Sequence, residues 1–171
     1  MKRQIKVLAS FLSFVVVLSV GILSQKPIRP VFGEPSKSTN FVWKFVIGEA
    51  SVTVSEPDKN DEIKILLDVP VLIKNGRTFV SLRTFAHILG MKVSCEHYKK
   101  EITYSMDKKT VKMLLDKPRA WIDNQEVVLD VSPFIIDGRI VVPLRFVFES
   151  FGWVVTWNET KQVVTCEYPG N

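Results

Sequence analysis

One pattern is written twice along this chain, and any fold must accommodate it twice. Residues 67–104, LDVPVLIKNGRTFVSLRTFAHILGMKVSCEHYKKEITY, lie over residues 129–166, LDVSPFIIDGRIVVPLRFVFESFGWVVTWNETKQVVTC, at a constant offset of 62 residues. Leu67/Leu129, Asp68/Asp130, Val69/Val131, Gly76/Gly138, Arg77/Arg139, Val80/Val142, Leu82/Leu144, Arg83/Arg145, Gly90/Gly152 and Val93/Val155 coincide. Upstream, residues 45–54 match residues 113–122 in pattern at an offset of 68. The first copy therefore carries a few extra residues, which the polar stretch SEPDKND at 55–61 can hold as a hairpin loop.

Each copy predicts the same order of elements. Alternating apolar residues in VTV and IKILLDV suggest two strands joined by a turn, with Asp123-Asn124 as the tighter turn in the second copy. The Asn75-Gly76 and Asp137-Gly138 pairs are turn chemistry. A short helix follows, with Ser81 as N-cap in the first copy and Pro143 as a first-turn residue in the second. Gly90 and Gly152 stand where a left-handed C-terminal cap is expected. Leu82, Phe85, Ala86 and Leu89 recur at helical spacing, as do Leu144, Val147, Phe148 and Phe151, so each helix has one apolar face. Two more strands follow, MKVSC and EITYS in one copy, WVVTW and QVVTC in the other. The expected class is α+β, a tandem repeat with copies at 41–109 and 110–171.

The residues ahead of the repeat have a different character. The net charge is +5, and Lys2, Arg3, Lys6, Lys26 and Arg29, all before the first acidic residue Glu34, account for the whole excess. The repeat is neutral, which argues against nucleic acid as a partner because that needs a basic stripe on the folded part. A basic start followed by the uncharged run VLASFLSFVVVLSVGIL fits an export signal or a retained N-terminal membrane anchor over 1–24, and both readings stand. Either puts the rest of the chain outside the cytoplasm, with the membrane touched only through this segment. Residues 25–40, with Pro27, Pro30, Pro35 and Gly33, read as a linker.

The run NGR or DGR, two or three apolar residues, [SP]-L-R, an apolar helix, L/F-G and a V-x-W strand resembles the copper amine oxidase N-terminal-like domain, or stalk domain, of Gram-positive cell surfaces. The resemblance spans about 45–168. The second copy matches closely, while the first has Ser81 for the usual Pro and Cys95 for the usual Trp. It implies a curved antiparallel sheet packed around one helix in each copy, and a surface binding or spacer module without cofactor. Oxidase chemistry is not implied: it needs three histidine ligands and a tyrosine-derived quinone, whereas this chain has two histidines, His87 and His97, and no Asn-Tyr-[Asp/Glu] run. His87, His97, Cys95 and Cys166 also lack zinc-site spacing.

No nucleophile and base can be assembled into a catalytic set. Candidate ligand contacts are Arg77, Arg83, Arg139 and Arg145, whose forks suit carboxylate or phosphate, and Trp121, which replaces Thr53 of the first copy and could stack on a sugar ring. The competing reading pairs the arginines with Asp68 and Asp130 as internal ion pairs, the more economical explanation of residues present in both copies. Gly76, Gly138, Gly90, Gly152, Trp153 and Trp157 are read as structural, Trp157 sharing an inward face with Val155. Cys95 and Cys166 are either a disulfide between the copies or two buried thiols. The partner expected is cell-wall glycan or another surface protein; the alternative is an accessory or inhibitory subunit on a secreted protein.

Overall fold

The Asn-Gly and Asp-Gly pairs do more than turn the chain. In the computed structural model, which describes residues 41–56 and 61–169, Asn75 and Gly76 have φ of 52° and 69°, and Asp137 and Gly138 have 49° and 71°. Two consecutive positive φ values make a turn whose twist matches that of antiparallel strands, so each pair closes a hairpin. One joins β4 (Leu72–Lys74) to β5 (Arg77–Ser81), and the other joins β11 (Phe134–Ile136) to β12 (Arg139–Pro143). These four strands, not foreseen from the sequence, form a central sheet in the order β11-β12-β5-β4.

The two hairpins meet through β5 and β12, which run antiparallel with Val80 opposite Val142, Phe79 opposite Pro143 and Ser81 opposite Val141. Val80 and Val142 are also partners at the 62-residue offset, so the sequence match and the strand register share a centre. Alternation along β5 and β12 gives the sheet two faces. Val80 and Val142 enter the main core, while Phe79 and Val141 pack on the other side with Val69 and Phe134.

Two five-stranded antiparallel sheets flank this layer. One has the order β13-β14-β1-β2-β3, from β1 (Val42–Val46), β2 (Ser51–Ser55), β3 (Glu62–Leu66), β13 (Val154–Asn158) and β14 (Val163–Glu167). The other has the order β10-β9-β8-β7-β6, from β6 (Lys92–Glu96), β7 (Glu101–Met106), β8 (Lys109–Leu114), β9 (Arg119–Ile122) and β10 (Gln125–Val128). Each copy was expected to carry its own sheet, and the pairing differs. Strand β1 hydrogen-bonds β14, and β7 hydrogen-bonds β8, so each sheet joins strands from residues 41–109 to strands from 110–171. The reason lies at the centre. Once β5 and β12 run antiparallel side by side, the strands after each helix reach the early strands of the other half.

Helix α1 (Leu82–Leu89) follows β5 directly and packs on β12 and β6; α2 (Leu144–Ser150) follows β12 and packs on β5 and β13. Both end as the sequence indicates. Gly90 is left-handed at φ 70°, and the Met91 and Gly90 amides donate to the Ala86 and His87 carbonyls at 2.8 and 3.3 Å. The Trp153 and Gly152 amides repeat this on the Phe148 and Glu149 carbonyls at 3.2 and 3.0 Å. The starts differ from expectation. Ser81 takes the N-cap position without capping through its side chain, and Pro143 is the N-cap residue, still paired in β12, not the first helical residue. Fixed φ and a missing amide hydrogen suit proline to that abrupt strand-to-helix change.

Aromatic rings fill the core where α2 meets β1. Phe148 is fully buried and meets Trp43, Phe45, Phe85 and Trp153 edge-on at centroid separations of 4.7 to 6.0 Å. These rings come from β1, both helices and the residue just before β13, so they join both halves of the chain. Phe148→Ala is expected to cost about 3–5 kcal/mol, with near-ultraviolet and far-ultraviolet signals lost in a single urea transition that shows the lower midpoint.

Candidate functional site

The recurring arginines and aspartates pair crosswise. Arg77, at the start of β5, bonds Asp130, which follows β10; Arg139, at the start of β12, holds Asp68 at 2.9 Å. Each pair thus links residues 41–109 to residues 110–171. The Asp68 carboxyl lies below its ordinary pKa. Burial opposes ionisation, but the hydrogen bond from the Thr84 hydroxyl, the nearby Ser81 hydroxyl and its own amide, with the Arg139 charge, outweigh that.

The other two arginines separate in role. Arg145, in the first turn of α2, stands 3.8 Å from Glu149, while Arg83 is exposed and makes no ion pair among the described residues. Arg77 and Arg145 come together in an open groove of about 790 Å³. Strands β10 and β13, each at one edge of a five-stranded sheet, contribute Val128 on one and Val155 and Trp157 on the other. Leu144 and Val164 supply further apolar lining; Asp130, Glu149, Glu159 and Gln162 supply polar groups.

Trp157 corrects the sequence reading. It alternates with Val155 as expected, yet Val155 is 8% exposed and Trp157 is 39% exposed. Residue alternation gives the face of a strand, but not how far along it the core extends. Trp157 lies beyond that limit, with its ring lining the groove. Trp153, by contrast, is buried over the end of α2 against Trp43, Phe148 and Tyr168.

Trp121, the expected stacking platform, is elsewhere. It is half-buried on β9 between Lys112 and Glu126 of the adjacent strands, with the Arg119 guanidinium 5.4 Å from its ring centre. Arg83, Arg139 and Trp121 therefore stay outside the groove, whereas Glu149, Glu159 and Gln162 were not foreseen. One signal was available: Glu159 stands two residues beyond Trp157 in the Asn158-Glu159-Thr160 turn.

Both cysteines are free, which removes the disulfide reading. Cys95 is half-buried on β6 and Cys166 fully buried on β14, strands of different sheets; burial pushes the Cys166 thiol well above its ordinary pKa. Among the described residues, no three His, Cys, Asp or Glu side chains gather to hold a metal ion, and His87 is exposed on α1. No helix among them is long and apolar enough to cross a membrane. The signal or anchor and the linker expected over 1–40 lie outside the described residues.

The family model of the copper amine oxidase N-terminal domain matches residues 59–166. No curated protein matches the chain.

The crosswise pairs make a testable demand. A carboxyl with a depressed folded pKa adds stability above its unfolded pKa of about 3.9, and that stability is lost as the pH falls through the folded value. A double-mutant cycle of Asp68→Asn and Arg139→Gln, read by urea unfolding at pH 7, is expected to give a coupling of about 0.5 kcal/mol, modest because the pair is partly exposed. The coupling is expected to shrink as the pH is lowered below about 4.

Proposed function

This chain belongs to the copper amine oxidase N-terminal domain family, a non-catalytic domain family, and from that premise we propose that it is an extracytoplasmic binding module whose groove beside Trp157 holds a cell-wall glycan. The observation that carries this reading is the groove itself. It offers a partly exposed indole as a flat face for a sugar ring, with guanidinium and carboxylate groups around it as donors and acceptors for hydroxyls. A concave surface with an apolar lining and a few converging polar groups is the usual form of a ligand site.

The basic and apolar N-terminal segment supports placement outside the cytoplasm, whether secreted or held to the membrane by that segment. The 62-residue match supports reading the folded part as two copies of one unit, 41–109 and 110–171, interlocked through the shared sheets. Its role on a Gram-positive surface is then adhesion to the wall, without a cofactor or reaction of its own.

A protein partner is the second reading, favoured by the apolar edges. Val128 on β10 and Val154 on β13 are 78% and 51% exposed, and both strands are unpaired on their outer sides. An extended segment of an accessory target could add to either edge.

Cosedimentation of residues 34–171 with purified Gram-positive walls separates the two. Saturable binding that survives high salt is expected, reduced at least about fivefold by Trp157→Ala, since loss of a ring stacking contact is worth roughly 1 to 3 kcal/mol, and unchanged by Trp121→Ala. Absence of wall binding, with capture of one secreted protein instead, would favour the second reading.

A further inference from the structure

The groove is not electrically neutral, and the imbalance has a location. Three carboxylates and two guanidiniums line it. Arg77 is committed to Asp130, and Arg145 is turned to Glu149 at 3.8 Å. Glu159 is left as an exposed carboxylate whose side chain has no ion-pair or hydrogen-bond partner among the described residues. It follows the β13 strand end two residues after Trp157, and both line the groove. An indole face and an uncompensated carboxylate lining one groove, two residues apart in the chain, can form a receptor for a cation, because the ring attracts positive charge over its face and the carboxylate accepts its hydrogen bonds.

The same place on the opposite half of the chain is built differently. At the 62-residue offset, Trp157 corresponds to Cys95, Glu159 to His97, Glu149 to His87 and Gln162 to Lys100. The indole and both carboxylates are absent there: a thiol replaces the ring, and groups able to carry positive charge replace the two glutamates and Gln162. The scaffold recurs, but the cation receptor does not.

Building on the glycan reading, we infer that the groove selects saccharides bearing free amino groups, with an ammonium held between Trp157 and Glu159, one site per chain. Trp157 supplies contact with any sugar ring. Glu159 supplies the preference for the unacetylated amine over the neutral acetamide.

The test is calorimetric titration of the full chain, in mild detergent, with three tetrasaccharides: β-1,4-linked glucosamine, its N-acetylated counterpart and cellotetraose. The glucosamine tetramer is expected to bind about tenfold more tightly than the other two, a typical value for one charge-assisted contact, with one ligand per chain. Glu159→Gln is expected to bring the three within about twofold of each other, whereas Trp157→Ala weakens all of them. Equal or tighter binding of the acetylated tetramer, a preference that survives Glu159→Gln, or two ligands per chain would overturn the inference and leave the glycan reading standing. Failure of all three sugars to bind would overturn both.

Discussion

The antiparallel pairing of β5 with β12 organises everything else in this molecule. With Val80 opposite Val142, the two hairpins form one layer and the two helices leave it in opposite senses. Each helix then lies on the strand contributed by the other half. The strands that follow are delivered to the early strands of that other half, which is why β14 lies beside β1 and β7 beside β8. The crosswise pairs Arg77–Asp130 and Arg139–Asp68 bridge the same junction from outside the core. Partly exposed, they contribute little energy and chiefly fix relative position; burial of Phe148 and the rings around it supplies the larger share.

Much of the local structure was legible because local physics decides it. Helical spacing of Leu82, Phe85 and Ala86 marked α1, and Gly90 and Gly152 marked where the helices stop. The α+β class follows from these elements, and the family match agrees with the motifs that suggested it. The central sheet was missed although its turns were identified. Strands of three to five residues carry a weak alternation signal, and two positive φ values at Asn75-Gly76 imply a hairpin only once the flanking residues are read as strands. The exchange of strands between halves was not legible, since two similarly patterned segments can pair within or across themselves with the same sequence pattern.

The site was legible in part. Arg77 and Arg145 were singled out from recurrence, and the groove contains both, but recurrence also drew attention to Arg83 and Arg139, which lie outside it. The groove's distinguishing residues are those that do not recur: Trp157 stands against Cys95 and Glu159 against His97. Where two segments of a chain match at a fixed offset, the matching residues are those a shared folding requirement explains, and the divergent ones are free to take up ligand chemistry. Trp157 looked like core because its strand face points inward, and only the three-dimensional end of that core exposes it.

The interlocking of the two halves is tested most directly by separating them. Residues 41–109 retain β4, β5 and α1 but lack β14 for β1, β8 for β7 and β12 for α1. The account predicts that 41–109 and 110–171, produced separately, show neither a cooperative thermal transition nor a dispersed amide spectrum, whereas 41–171 shows both. A cooperative transition with native-like amide dispersion in isolated 41–109 would contradict it.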